Sequence, residues 1–551
     1  MIDLDANVPL DTDADAVRGF LDNLQGNILK GHGRNFTANI FLEFLVEGEA
    51  LSATLRELTE RYVTSASAQL AQSLAFKATG RAGPLFGSLF LTPGAYDKLG
   101  LASVMGAWFD DPLRVLPGVT TPPRPSFLTR MRAAASELGD DGVPPGDEEL
   151  ARAYLDGTID ALLLLGDDVE ANVEREAGHA IEWLEAEGLA RKLAVERGRA
   201  LRTEDEEGIE HFGYVDGRSQ PLFLKSDFTG LGRDGRLDPA TSREKTNDKL
   251  VTRETGRIDT WNPFAPLSLV LRPDPGTRAA DAYGSYYVFR KLEQDVRHFC
   301  MAEQALADAL GLQGGDRARA GAMVVGRFRD GTPLALNETD GFVPAKANNF
   351  RYDGLKDGTR LQPGAPEDLF ALKCPFHSHI RRVNPRQCLD RPNGEPDAAK
   401  DARDRKRRIV RRGITYGERG PIPTVLPPCD DLPDGGVGLL FACFQRSIVN
   451  QFAFLQKEWV KSSFFPFDGG SAFPGRDPLL GPDPGGGSGQ RWRKEYGGDA
   501  SQQPISLQNM DMAVTHPQRF GFGGFVKFKG GEYFFAPSLP FLRNAPSAPP
   551  T

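Results

Sequence analysis

The sequence predicts an α+β protein made of two successive halves rather than one continuous α/β sheet. Three observations carry this reading. Apolar, β-prone runs alternate with helical patterns from Thr37 to Leu184; the same strand, helix, strand rhythm begins again at Gly284; and polar, breaker-rich segments separate the blocks.

The elements follow in order. Residues 1–20 form an acidic lead-in, and the first strand runs from Thr37 to Val46 through Ile40, Leu42 and Phe44. Leu51 to Val63 has helical spacing, Ala75 to Thr79 reads as a second strand, and Thr158 to Leu165 as a third. An amphipathic helix through Trp183 and Leu184 follows Asp167-Asp168. In the second half a strand from Gly284 to Leu292 feeds directly into the helical pattern Asp295 to Leu310, and Gly321 to Phe328 reads as the next strand. Strands are expected at Leu369 to Pro375 and Gly438 to Phe444, a helix at Ser447 to Val460, and a glycine-rich hairpin at Phe520 to Phe535. Asp227 to Asn247, Gln387 to Asp404 and Arg476 to Gln490 read as surface loops. The resulting division is a lead-in over 1–20, an N-terminal domain over 21–225, a linker or insertion over 226–280, a C-terminal domain over 281–544 and a Pro-rich tail over 545–551.

Composition narrows the function classes. Of 551 residues 40% are hydrophobic and 26% charged, which excludes a chain too polar to fold. Lys and Arg total 66 against 75 Asp and Glu, a formal net charge of −9 that opposes a broad nucleic-acid footprint. The longest apolar stretches, Ala161 to Leu165 and Gly438 to Phe444, fall far short of the ~20 residues a membrane helix needs. The acidic N-terminus lacks the basic and apolar regions of a secretory signal, so a cytoplasmic address is expected. Five cysteines form an odd set without a C-x-x-C pair, which indicates neither a disulfide framework nor a Cys-rich zinc site.

Three segments carry candidate chemistry. In Cys374-Pro-Phe-His-Ser-His-Ile-Arg, a strand's period of two would put His377 and His379 on one side, where either imidazole can ligate a metal. The run Arg403 to Arg412 holds seven basic residues and one Asp, yet Ile409, Val410 and Ile414 turn part of it inward, and a buried guanidinium needs an anion or a functional role. The third, His211 to Pro221, contains a G-x-x-D-G element that taken alone reads as a tight turn around Asp216.

Together these segments resemble the dye-decolourising peroxidase family, and the spacing between His379 and Arg411 resembles its larger C/D-type members. The likeness spans most of the chain: Asn23 to Leu29, Gly213 to Gly217, Gly284 to Arg290, Val325 to Leu334, His379-Ile-Arg, Arg411-Arg-Gly, Gly438-Leu-Leu-Phe and the closing Tyr533-Phe-Phe-Ala-Pro-Ser. The resemblance implies two ferredoxin-like halves with antiparallel sheets and peripheral helices, and a haem b in the C-terminal half. It implies His379 as the proximal iron ligand, Asp216 as the distal acid/base and Arg411 as the distal arginine, with His377 and Arg412 as second choices. Leu439 and Phe441 resemble residues that keep the distal pocket dry and narrow, while Arg290 and Arg327 read equally as haem-propionate partners and as structural salt bridges.

The implied activity is reduction of hydrogen peroxide with oxidation of aromatic, dye-type donors through a high-valent iron-oxo intermediate, without nucleic acid or membrane as partner. An aspartate of reference pKa about 3.9 in place of a distal histidine predicts an acidic optimum. Bulky donors would be oxidised at the surface through aromatic side chains, among which the sequence does not choose. In many relatives a carboxylate after G-L-L-F holds the proximal histidine; Cys443 to Gln451 has none, which leaves Asn450, Gln451 or a carboxylate from elsewhere. The competing reading is a haem sensor or carrier without turnover, using Cys374-Pro375.

Overall fold

In a computed structural model of the protein, two antiparallel four-stranded half-sheets meet edge to edge and form the frame. The structure describes residues 2–109, 125–140, 148–203, 207–215, 217–229, 243–244, 261–341, 348, 350–352, 355–356, 359–360, 368, 371–386, 404–419, 428–465, 475–481, 489–497, 505–506 and 521–546. Ten strands make up the main sheet: β1 (Phe36–Phe44), β2 (Phe86–Leu91), β3 (Ala161–Asp167), β4 (Ala190–Arg199), β5 (Arg272–Pro273), β6 (Tyr283–Gln294), β7 (Val410–Arg411), β8 (Ile414–Tyr416), β9 (Gly438–Gln445) and β10 (Val526–Ala536). The N-terminal half has the order β2-β3-β1-β4 and the C-terminal half β7-β9-β6-β10, with β5 pairing β6 and β8 pairing β9. Strands β10 and β2 join the halves through Phe535 opposite Leu91. The expected α+β class with two halves is therefore observed, and the halves share one sheet.

Helices cover the sheet where their apolar stripes dictate. In α1 (Gly48–Tyr62), Leu51, Leu55 and Leu58 are fully buried at the three- and four-residue spacing of one helix face. In α3 (Glu170–Ala186), Val173, Ala177, Ala180 and Leu184 do the same. The second half repeats the scheme: β6 leads into α4 (Val296–Ala309), capped by Asp295, whose side chain accepts the His298 N–H. Among the described residues no helix is long and apolar enough to cross a membrane.

Several expectations are corrected. Ala75 to Thr79 is the end of a helix, α2 (Ala66–Thr79), which starts where Ser65 accepts the Ala68 N–H and stops at Gly80 in the left-handed region. The strand is Phe86–Leu91, buried at every residue. Gly321 to Phe328 is mostly the helix α5 (Ala318–Val325), ended by Gly326 at φ 101°. Burial on all sides erases periodicity there, and a short apolar run does not tell strand from helix.

Of Leu369 to Pro375 the described residues, 371–375, are irregular, because the Asp368 carboxylate gathers the N–H groups of Lys373 and Cys374 into a bend. Within Ser447 to Val460, helix is confined to Phe452–Phe454 and a π-helix at Leu455–Val460. The closing hairpin is one strand, β10, which bulges between Phe528 and Gly531 and pairs with β6 instead of with itself.

Cys300 and Cys429 form a disulfide, Cα atoms 5.6 Å apart, contrary to the absence of a framework expected from the odd cysteine count. Cys374 and Cys443 are buried thiols, and Cys388 lies outside the described residues.

Candidate active site

Strand register decides which side chains meet. Leu439 of β9 stands opposite Leu292 and Phe441 opposite Arg290, while Arg411 of β7 stands opposite Cys443. Cross-strand partners share a face and alternate residues of one strand do too. Leu439, Phe441, Leu292, Arg290 and Arg411 therefore project from the same side of the C-terminal half-sheet. They line a cavity of about 250 Å³, with further walls from Glu210, Phe212, Tyr214, Val215, Arg218 and Ser219, from Val325 and Arg327, from the short helix α6 (His379–Val383), and from Leu455, Val460, Leu479 and Leu480.

His379 is the first residue of α6 and lies on the cavity wall. Its Nδ1 is 2.8 Å from Oδ2 of Asp477, a carboxylate with no exposed side-chain surface. An ionised carboxylate is acceptor only, so Nδ1 donates, which assigns the lone pair to Nε2. Burial on its own raises the Asp477 carboxyl, but His379, its hydrogen bond, the Leu480 N–H and Arg382 outweigh it and hold the group below the ordinary carboxylate range. Asp477 is thus the carboxylate from elsewhere; neither Asn450 nor Gln451 takes the place. Gln451 instead donates to the carbonyls of Leu269 and Arg408. The expectation that Arg476 to Gln490 is surface loop fails at its start, because Leu479 and Leu480 turn inward onto the cavity and Asp477 is fully buried against His379, while 482–488 lie outside the described residues. No local sequence signal marks Asp477, which is 98 residues from its partner.

The other predicted residues fall as follows. Arg411 is on the wall, with Nη2 donating to the Arg218 carbonyl at 2.7 Å and its backbone N–H to Oε1 of Gln220 at 3.2 Å, which ties it to the G-x-x-D-G segment. Asp216 itself lies outside the described residues; Tyr214, Val215, Arg218 and Ser219 around it line the cavity.

Arg327 also lines it, donating from Nη1 to the Gly331 carbonyl at 2.9 Å; burial lowers its pKa to about 10. Arg290 reaches the cavity, and both of its terminal nitrogens donate to Asp140, at 2.7 and 2.6 Å. Asp140 was not anticipated.

The second choices sit elsewhere. His377 is buried edge-on against Trp492, ring centroids 4.3 Å apart. Arg412 donates to the carbonyls of Asn27 and Ile28 in the N-terminal segment. The strand-based expectation that His377 and His379 face one way therefore fails, because the chain turns at 376–377 and enters α6. Cys374, the ligand of the competing carrier reading, is fully buried away from the cavity lining, and burial pushes its thiol up to about 11, far from thiolate.

The donor set fits a haem. One imidazole with its far nitrogen anchored offers a single neutral nitrogen to the cavity, the walls are mainly apolar, and Arg218, Arg327 and Arg408 supply guanidinium groups of the kind that match propionates.

The chain matches no family model. It is 37% identical over 526 residues, 95% of both chains, to the multifunctional dye peroxidase DyP2 of Amycolatopsis sp.. A solved structure of DyP2 from Amycolatopsis sp. superposes with a TM-score of 0.75 at 35% identity, over 98% of this chain and 99% of that one. A DyP-type peroxidase of Anabaena sp. superposes with a TM-score of 0.74 at 33% identity, over 97% of each chain.

Proposed function

Because this chain belongs to the dye-decolourising peroxidase family, as one of its larger C/D-type members, and is a haem peroxidase acting on peroxide and dye-type donors, we propose that His379, Asp216 and Arg411 are the residues that carry its reaction on a haem b. The observation that carries the reading is the placement of His379, braced by Asp477, and Arg411 on the wall of one largely apolar cavity.

Haem bound there supplies the two-electron reduction of hydrogen peroxide and the one-electron oxidation of aromatic donors. His379 would hold the iron through Nε2 while Asp477 keeps the proton on Nδ1, which makes the imidazole a stronger donor. By its place in the motif, the Asp216 carboxylate would take a proton from one peroxide oxygen and return it to the other as that oxygen leaves. An aspartate at that place of the motif supports an acidic optimum, since carboxylates ordinarily titrate well below a histidine. The Arg411 guanidinium would stabilise negative charge on the departing oxygen. Leu439 and Phe441 would exclude water from that side of the cavity. Arg327, with Arg218 and Arg408, would receive the propionates.

The cytoplasmic address expected from the N-terminus stands against the Cys300–Cys429 bridge, since such bridges persist mainly in oxidising compartments. Hemin titration followed by the Soret band tests the assignment. The wild-type protein is expected to bind one equivalent with a histidine-ligated spectrum and His379→Ala to lose it, whereas an unchanged band in that variant rejects His379 as ligand.

A further inference from the structure

Arg382 sits on α6 three residues after His379, so the two side chains leave the helix on neighbouring sides. It has no exposed surface. Its guanidinium donates to main-chain carbonyls of two separate segments. Nη1 meets the carbonyls of Trp459, of Ser462 at 2.9 Å and of Val460 at 3.4 Å, and Nη2 meets that of Gly475. The Gly475 carbonyl is two residues from Asp477, whose own N–H donates to the Val460 carbonyl at 3.1 Å.

Two side chains of one short helix therefore hold the same segment. His379 holds it through the Asp477 carboxylate, and Arg382 through the main chain on either side of the Val460 contact. Both terminal nitrogens of Arg382 find carbonyls, while its Nε meets no partner among the described residues; a planar fork with several N–H groups is suited to collecting carbonyls from separate segments.

We propose that Arg382 is a positioning residue: by clamping segment 475–477 and the end of the π-helix onto α6, it fixes the Asp477 carboxylate at hydrogen-bond distance from His379 Nδ1 and so sets how strongly the imidazole donates through Nε2. This rests on the reading of His379 as the iron ligand. Hydrogen bonds weaken steeply with misalignment, and the bond from imidazole to carboxylate is of the strong, charge-assisted kind. Displacing Asp477 by a few tenths of an ångström therefore weakens the donor. A purely electrostatic role has the opposite sign, since removing a cation near Asp477 makes the carboxylate a better acceptor and strengthens the donor.

The test is the iron–histidine stretching band of the ferrous, haem-loaded protein by resonance Raman, together with the haem reduction potential. Asp477→Asn is the benchmark and is expected to move the band down and the potential up. Arg382→Lys and Arg382→Gln are expected to move both in the same direction, and the double variant Arg382→Lys/Asp477→Asn no further than Asp477→Asn alone. Lysine keeps the charge without the fork, so a wild-type band in Arg382→Lys, or an upward shift in Arg382→Gln, overturns the clamp.

If the arginine variants do not fold, Gly475→Ala probes the same contact from the other side. Its added Cβ would lie 2.6 Å from the Gln490 backbone, at a residue with φ of +85°, so the segment must shift. The same downward shift is expected, and an unmoved band in a folded Gly475→Ala overturns the proposal. A wild-type protein without any iron–histidine band, or a His379→Ala variant that keeps it, removes the ligand assignment instead, which separates that failure from failure of the clamp.

Discussion

Nδ1 of His379 stands 2.8 Å from Oδ2 of Asp477, whose other oxygen accepts the N–H groups of Leu479 and Leu480 at 2.8 and 3.0 Å. The carboxylate is thus oriented by its own turn before it meets the imidazole. Asp477→Asn keeps the shape and removes the charge. With the proposed ligand role, this variant is expected to bind haem and to lose about 10- to 100-fold in peroxidase turnover. Steady-state dye oxidation per Soret-quantified haem checks it; full turnover would make the pair structural only.

What the sequence made legible follows from which interactions are local. Strands β1, β3, β6 and β9 and helices α1, α3 and α4 announce themselves because their apolar residues repeat at short spacing or run unbroken. His379 and Arg411 were found through short motifs, and register then puts Arg411 on the cavity face. Asp477, Asp140 and Arg382 were not found, because each acts through a partner far away in sequence or through main-chain carbonyls that carry no residue identity. Elements buried on every side, such as α5, hide their period for the same reason that they are core.

Arg290 and Asp140 form a two-bond fork, each side chain 5% exposed. Removing one partner strands a buried charge, which costs about 3–5 kcal/mol. Arg290→Met is therefore expected to lower unfolding stability by that order, and Arg290→Met/Asp140→Leu to recover most of it. Urea unfolding measures both. A variant that unfolds like wild type but binds haem weakly would make Arg290 a propionate partner instead.

His211 is 1% exposed and donates from Nε2 to the Tyr416 carbonyl at 2.9 Å. Burial lowers its pKa to about 4; the Tyr416 hydrogen bond opposes this and Arg419 adds to it. In the unfolded chain it titrates near 6.5, so between these values the unfolded state binds the proton and the folded state does not. Its contribution to stability is complete above about pH 6.5 and declines as pH falls toward 4, by roughly 3 kcal/mol in all. His211→Gln, which keeps a donor for Tyr416, is expected to flatten this part of the stability profile measured by denaturant unfolding from pH 7 to pH 4. An unchanged slope would mean that other groups cause it.

The Cys300–Cys429 bridge ties α4 to the turn before β9 across a sequence separation of 129, and the enclosed chain contains His379, Arg327 and Arg411. Cross-linking so long a loop restricts the unfolded chain, and Cys300→Ser/Cys429→Ser is expected to lose about 2–4 kcal/mol of stability. Alkylation of the unfolded protein decides whether the bond exists. Five cysteines less the bridged pair leave three labels without reductant, against five after reduction. Three labels on protein isolated from its native compartment would mean that it matures under oxidising conditions, against the address expected from its N-terminus. Five labels in both cases would remove the bridge and leave the cytoplasmic expectation in place.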